Sequence, residues 1–307
     1  MRRQNLLFLM TLVAATASGL GQAAPPSSTN DTASTPNFSG LWAHEFIGFE
    51  PPSSGHGPIR NLSRVPSGQA DINRPAGDYT DPILKPQAAA ILKARGEISL
   101  SGNNFQQPAN VCGPQPMPYV LWQQEIQLVQ SRNHLDIHYM SDHQVRHVRL
   151  NSQHPAHMTP SWSGDSVGHF EGDTLVIDTV GVKAEPSSIA DYVGTPQSAA
   201  VHVIERYRLI DYEAALEAWK SAEKENVRLT ADRPIGDGIA IDPDYRGTAL
   251  QLEFMVEDPN VTTMPWSARS TYRKASGEWL ERVCAENAAV HHVVNGPAIP
   301  TAEKPDF

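Results

Sequence analysis

The sequence predicts an all-β domain, built as an antiparallel barrel or a strongly curved sandwich, with a short early helix and a helical insertion. Runs rich in Val, Ile, Leu, Tyr and Thr recur along most of the chain, and such runs are typical of strands. Turns of a few residues join neighbouring runs, as in antiparallel hairpins. Strands and helices do not alternate as they would in a parallel α/β sheet.

Ten runs are assigned as strands, and the chain of 307 residues is long enough to bury a sizeable core between them. The assigned runs cover residues 38–46, 122–131, 134–140, 144–151, 166–170, 174–182, 201–210, 248–258, 266–274 and 278–284.

Two segments before the main run of strands are not strand-like. The run QAAAILKARGEI, within residues 86–98, predicts the early helix, because its alanines and Leu92 favour helix. Residues 48–81 are rich in Gly, Pro, Ser and Asn. Irregular chain of that length is unusual inside a compact domain, so we expect it to wrap the surface or to cover a site.

The helical insertion begins with YEAALEAWKSAEK at residues 212–224 and continues through a Gly/Pro-rich stretch, so that it spans residues 212–247. Two interpretations stay open. The insertion either decorates the surface and packs Trp219 onto the barrel, or it is a mobile lid over the barrel mouth with Gly236 and Gly238 as its flexible points.

The N-terminal residues predict export from the cytoplasm. Residues 1–23 combine two arginines, a short apolar stretch and a small-x-small site that ends at Ala23, the pattern of a cleaved signal peptide. We therefore expect a periplasmic or secreted protein without membrane insertion. Residues 24–37 predict a disordered linker, and residues 38–307 a single barrel-like domain.

Composition and missing motifs narrow the function. The formal net charge of −10 argues against a nucleic-acid partner, which requires clustered Lys and Arg. A glycine-rich phosphate loop, a dinucleotide fingerprint and a Gly-x-Ser-x-Gly elbow are missing from the sequence. We therefore expect no cofactor and no acyl-enzyme, and a small molecule as ligand or substrate. The oligomeric state stays open.

The two cysteines, Cys112 and Cys284, allow one intramolecular disulfide. An exported protein meets an oxidising compartment in which such a bridge forms. The alternative is a pair of buried free thiols.

A histidine and a carboxylate form the leading catalytic candidate. A two-residue turn at residues 171–174 would set His169 opposite Val176, and would place His169 and Asp178 on one face as diagonal neighbours. A carboxylate in that position can orient and charge-stabilise an imidazole that moves protons near neutral pH. The alternative is a structural pair, either buried or facing outward.

The strand VHVIERY supplies two further catalytic candidates, His202 and Glu205, which alternation places on opposite faces. Arg206 lies on the same side as His202, where it could anchor an anionic group or pair with Asp178. The residues assigned to ligand binding are Trp42, Trp162, Arg206 and Trp266.

Seven of the twelve histidines lie within 36 residues and raise a metal hypothesis. His134, Asp136 and His138 would share one face of a strand, but histidines four residues apart on a strand lie roughly 13 Å from each other. A site would need His143 or His147 from a partner strand. No metal ligand is assigned.

Five stretches resemble a family of exported bacterial proteins, most of which have no assigned activity. They are NVCGPQPMP at 110–118, WSGDSVGHFEGDTLVIDTVG at 162–181, VHVIERY at 201–207, DPNVTTMPW at 258–266 and YRKASGEWLERVCAEN at 272–287. The resemblance implies that Cys112 and Cys284 are family positions, which supports their pairing. It also implies that residues 212–247 are an insertion. Gly40-Leu41-Trp42 resembles the Gly-x-Trp of lipocalin-like barrels.

Two functional interpretations follow. The first is an exported, cofactor-independent enzyme of isomerase, lyase, cyclase or hydrolase type, which uses His169 and Asp178 on a small, partly apolar molecule held in the barrel. The second is a non-catalytic, lipocalin-like carrier of such a molecule.

Overall fold

The computed structural model describes residues 35–140, 143–228, 239–242 and 244–280. These residues form a β-barrel and two α-helices. The strands are β1 (Gly40–Ala43), β2 (Phe46–Ile47), β3 (Glu125–Gln130), β4 (His134–Tyr139), β5 (Val145–Leu150), β6 (Asp165–Glu171), β7 (Thr174–Val180), β8 (His202–Ile210), β9 (Val227–Arg228), β10 (Ile239–Ile241), β11 (Ala249–Glu257) and β12 (Trp266–Gly277). The helices are α1 (Pro86–Leu100) and α2 (Tyr212–Glu225).

Nine strands close into a ring in the order β1-β3-β4-β5-β6-β7-β8-β11-β12, and β12 pairs with β1 to complete it. The all-β barrel that the sequence predicts is thereby confirmed. One pair departs from the antiparallel prediction, because β5 and β6 run parallel. Parallel neighbours cannot be joined by a tight turn, and residues 151–164 return the chain to the starting end of the sheet.

The last predicted strand, at residues 278–284, is wrong where the structure describes it. Residues 278–280 are not in a strand, whereas β12 continues three residues beyond the predicted end at residue 274. Its C-terminal part pairs with β10, and this pairing extends the strand. Residues 281–284 of the prediction lie outside the described part of the chain.

Side chains alternate between the barrel interior and its outer face. In β8, Val203, Glu205 and Tyr207 are buried, while Arg206 and Arg208 are exposed. The inward positions of the ring form one continuous apolar cluster, which includes Leu128, Leu135, Ile137, Val148, Ile177, Leu252 and Phe254. The interior expected to hold a ligand is thus lined by packed side chains.

The irregular segment at residues 48–81 runs along the barrel with few regular contacts. Glu50 and His56 form isolated bridges to β12, at Arg269 and Trp266. Asn61 stabilises the segment from within: its Nδ2 donates to the carbonyl of Asp71 at 3.0 Å, and its Oδ1 accepts from two backbone amides. Backbone hydrogen bonds within the segment, such as that from the Leu62 amide to the Ala76 carbonyl at 2.7 Å, add to these side-chain bonds.

The insertion packs onto the outer wall of the barrel through α2. The Asp211 carboxylate caps this helix by accepting from the Ala214 amide at 2.8 Å. Trp219 is buried, its Nε1 donates to the Thr271 carbonyl at 2.8 Å, and the Arg273 guanidinium lies 4.3 Å from the ring centre. The predicted contact of Trp219 with the barrel is therefore present.

Several predictions fall on chain that the structure does not describe. They are the signal peptide at residues 1–23, the linker as far as residue 34, the flexible points Gly236 and Gly238, and Cys284. Neither helix of the described part is long and apolar enough to cross a bilayer.

Candidate functional site

The β6–β7 hairpin carries the predicted catalytic pair, and its register is the one expected. Phe170 lies opposite Leu175 and His169 opposite Val176, with Gly172 in the turn at a φ of 63°. His169 and Asp178 lie on the outer face of the barrel, where the His169 side chain is 56% exposed. The hairpin geometry therefore follows the sequence.

The contact between His169 and Asp178 is nevertheless not formed. The His169 Nε2 lies 3.2 Å from the Glu171 carboxylate, which stands two residues along the same strand on the same face and is therefore nearer. Asp178 instead accepts from His202 Nε2 at 3.0 Å, and His154 Nε2 lies 3.3 Å from the same oxygen. The prediction that His169 is the partner of Asp178 is therefore wrong.

Asp178 belongs to a chain of ionisable side chains on the outer wall of the barrel. His154 Nδ1 lies 2.6 Å from Asp165, and His202 Nδ1 lies 3.4 Å from Glu257. Arg149 forms a two-bond ion pair with Asp165, which holds the pKa of that carboxyl below its usual range. His154 and His202 thus each lie between two carboxylates. Such an arrangement is able to pass a proton along the outer wall.

His154 has no place among the catalytic candidates that the sequence suggests. It lies in the connection between β5 and β6, and only the return of that connection alongside β7 sets it beside Asp178. The sequence signal was its place in the histidine-rich stretch, which does not reveal a partner.

Glu205 and Arg206 point to opposite sides of β8, as alternation predicts. Glu205 is fully buried in the barrel. Arg206 lies outside and donates to Glu171 at 2.8 Å, with both side chains about half exposed. Arg206 therefore contacts Glu171 rather than Asp178, and its role as a ligand anchor stays a prediction.

Inside the barrel, Glu205 pairs with Arg146, a residue that the sequence prediction missed. Two parallel hydrogen bonds of 2.7 Å join the guanidinium to the carboxylate, and the Tyr207 hydroxyl donates to the same carboxylate at 3.0 Å. Tyr139 and Tyr272 lie close by, and burial raises the pKa of both phenols. The Tyr139 hydroxyl has no hydrogen-bond partner among the described residues. This cluster ties β4, β5, β8 and β12 together.

The tryptophans assigned to ligand binding contact protein groups. Trp42 is buried, and its Nε1 donates to the Phe38 carbonyl at 2.9 Å. Trp266 packs edge-on against Phe254 in the core, with ring centres 5.9 Å apart. Trp162 lies under the Lys183 ammonium at 4.6 Å. Trp42 and Trp266 are therefore core residues, as expected for large aromatic side chains at inward positions.

The histidine-rich strands form pairs rather than a metal centre. β5 sets His147 opposite Asp136, where the two side chains approach to 2.6 Å, and His134 lies 3.5 Å from the same carboxylate. Within the described part of the chain, no group of three or more His, Cys, Asp or Glu side chains is placed to hold a metal ion.

A cavity of about 400 Å³ lies under the irregular segment and is named the loop pocket. Its lining comprises Phe49, Glu50, Pro51, Pro52, Gly57, Pro58, Ile59, Arg60, Asn61, Arg64, Ala70, Tyr192 and Asn226. Most of these side chains are apolar, and a few polar groups stand among them. Residues 48–81 supply most of this lining, and that they cover a site stays a prediction.

The insertion contributes one wall of the loop pocket through Asn226, the residue that follows α2. Its Nδ2 donates to the Phe49 carbonyl at 3.0 Å. Gly48 makes this approach possible: its φ is 128°, and a Cβ at that position would overlap the Asn226 side-chain oxygen. Glycine is therefore required where the irregular segment meets the insertion.

Glu50 is the acidic residue of the described lining, and its carboxylate bonds to Thr271. One carboxylate oxygen accepts from the Thr271 amide and the other from the Thr271 hydroxyl, both at 2.8 Å. Burial raises the pKa of this carboxyl.

The fold and cavity define a mixed nine-stranded β-barrel protein with a pocket beside the barrel. No family model, curated protein or solved structure matches the chain. The assignment of a function therefore rests on the geometry of its own residues.

Proposed function

We propose that the protein is a non-catalytic binding protein for a small, partly apolar molecule, which it holds in the loop pocket. The observation that carries the proposal is the cavity itself. Its volume of about 400 Å³ is in the range of small-molecule sites, and an apolar lining with a few polar groups is typical of them. Export to the periplasm or the medium and membership of the exported family remain part of the proposal.

The packed barrel interior supports a ligand site beside the barrel. The inward side chains form a continuous core, and the buried Arg146–Glu205 pair occupies part of its centre. In a lipocalin-like carrier the ligand would instead occupy the barrel mouth. The proposed ligand site is accordingly the loop pocket, which the irregular segment at residues 48–81 lines for the most part.

A second candidate function is cofactor-independent acid–base catalysis of the isomerase, lyase, cyclase or hydrolase type. The observation that favours it is the 3.0 Å contact between His202 and Asp178, which is the geometry of an oriented imidazole. In this alternative, His202 transfers the proton, the Asp178 carboxylate orients the His202 imidazole, and His169 has no role in catalysis.

Mass spectrometry of the small molecules released from the purified protein tests the binding function. Gly57 lines the pocket, and a Cβ there would meet only Pro52 at an ordinary 3.6 Å, so Gly57→Trp fills the cavity without backbone strain. We expect the variant to lose the released molecule and the exposed control Ser54→Trp to retain it. Equal recovery from both variants, or no molecule from the unaltered protein, contradicts the proposal.

Incubation of the recovered molecule with the protein distinguishes the two candidates. Recovery of the molecule unchanged supports a carrier. Conversion that is lost in His202→Gln and Asp178→Asn, and retained in His169→Gln, supports the enzyme. The last variant is the matched control, since His169 lies on the same outer face without contacting Asp178.

A further inference from the structure

We infer that the ligand of the loop pocket is an uncharged, largely apolar molecule, such as an arene whose polar substituents are not ionised. The inference rests on the proposed binding function and adds the chemical class of the ligand. Two features of the lining carry it. Each of its charged side chains already has a partner within the protein, and the remaining walls are mostly apolar.

The two arginines of the lining are engaged within the protein. The Arg60 guanidinium donates to Asp78 Oδ2 at 3.0 Å and forms an ion pair with it. The Arg60 side chain is 71% exposed, so water can satisfy its remaining donors. Arg64 is also exposed and also has an interaction partner. An anionic ligand would therefore compete with Asp78 for Arg60, at a position where water screens the attraction.

The acidic residue of the lining is compensated as well. The two oxygens of the Glu50 carboxylate accept from the amide and the hydroxyl of Thr271. The positive charge of Arg269 also acts on this carboxylate and lowers its pKa, against the larger raising effect of burial. The Arg269 Nε donates to the Pro51 carbonyl at 2.8 Å, which holds the guanidinium beside the pocket wall. A cationic ligand would therefore share Glu50 with Arg269 and lose its own hydration, which disfavours an ammonium group.

The two asparagines of the lining bind the backbone of the irregular segment. Asn61 uses both ends of its side-chain amide for this, and the Asn226 Nδ2 donates to the Phe49 carbonyl at 3.0 Å. The polar side chains of the lining thus hold the cavity in shape. A charged ligand would lose hydration on entry and would find the described charges of the lining already engaged, whereas an uncharged ligand avoids this cost.

The rest of the lining suits an apolar or aromatic molecule. The apolar side chains are Phe49, Pro51, Pro52, Pro58, Ile59, Ala70 and Tyr192. The Tyr192 ring stacks on Trp122 with centres 5.8 Å apart and planes 18° apart, and Trp122 stacks in turn on Tyr119. An aromatic wall that is ordered before binding offers an apolar group a surface at small entropic cost.

Three probes that share one naphthyl ring and differ in charge test the inference by calorimetric titration of the purified protein. Naphthylacetamide is uncharged, naphthylacetate is an anion, and naphthylethylammonium is a cation at neutral pH. We expect the amide to bind about tenfold more tightly than either ion, because the ions lose hydration without gaining a counter-charge of their own.

Two pairs of variants locate the binding and its dependence on charge. Gly57→Trp fills the loop pocket and should abolish binding of the amide, which the exposed control Ser54→Trp should retain. Arg60→Gln should change the affinity for naphthylacetate no more than Arg132→Gln does, a control in an exposed turn, because the Arg60 guanidinium is exposed and already paired.

The possible outcomes separate the inference from the function on which it rests. An ion that binds as tightly as the amide, or a loss of naphthylacetate binding confined to Arg60→Gln, overturns the uncharged ligand while the binding function stands. Amide binding that persists in Gly57→Trp lies outside the loop pocket and also overturns it. If none of the probes binds, the molecule released from the purified protein decides, since an ionised group on it overturns the inference and an uncharged molecule supports it. If no probe binds and no molecule is released, the binding function fails as well.

Discussion

The buried ion pair between Arg146 and Glu205 makes a quantitative prediction about stability. The side chains are 1% and 0% exposed, and two hydrogen bonds of 2.7 Å join them. At this separation and an effective dielectric constant of about 20, their attraction is about 6 kcal/mol. Glu205→Gln keeps the shape and a hydrogen bond but leaves the guanidinium without a counter-charge. We expect the free energy of unfolding to fall by about 3–5 kcal/mol, measured by urea denaturation.

The neighbouring residue on β8 provides a matched control. Arg206 and Glu171 are joined at a similar 2.8 Å, but both side chains are about half exposed, so Arg206→Gln should leave the urea midpoint unchanged within error. Replacing both buried partners, as Arg146→Met with Glu205→Leu, should recover most of the lost stability, because no charge is then buried alone. A loss below about 1 kcal/mol for Glu205→Gln would refute this reasoning.

Three further predictions concern a histidine, a tryptophan and the cysteines. Burial lowers the pKa of His44 from 6.5 to about 4, so only the unfolded chain takes up this proton as the pH falls through that window, and stability decreases. In urea denaturation across this range, His44→Gln should lose about 3 kcal/mol less than the unaltered protein; parallel pH profiles would contradict this. Trp219→Ala should cost about 3–5 kcal/mol in urea, because it empties the contact with the barrel and removes the bond to Thr271; unchanged stability would show that α2 is not part of the core. Non-reducing peptide mapping should join Cys112 to Cys284, and recovery of both as free thiols under oxidising conditions would disprove the bridge.

The parts of the candidate site that depend on residues close together in the sequence were predictable. The turn at residues 171–174 and the pairing of His169 with Val176 follow from local sequence, because a two-residue turn sets the register of its own hairpin. The opposite directions of Glu205 and Arg206 follow in the same way from the two-residue period of a strand. The partners of these side chains were not predictable, since they come from other strands and connections.

By itself, the sequence determined the all-β class, most of the strands and which neighbours share a face, because these depend on periodicity over a few residues. The tertiary structure decided the remainder. The parallel pairing of β5 with β6 requires the return path of a long connection, and it places His154 beside Asp178. The order of strands around the closed barrel set Arg146 against Glu205, 59 residues further along the chain. The loop pocket exists only where the irregular segment, Tyr192 and Asn226 meet, and contacts between such distant residues depend on the global path of the chain rather than on any local pattern.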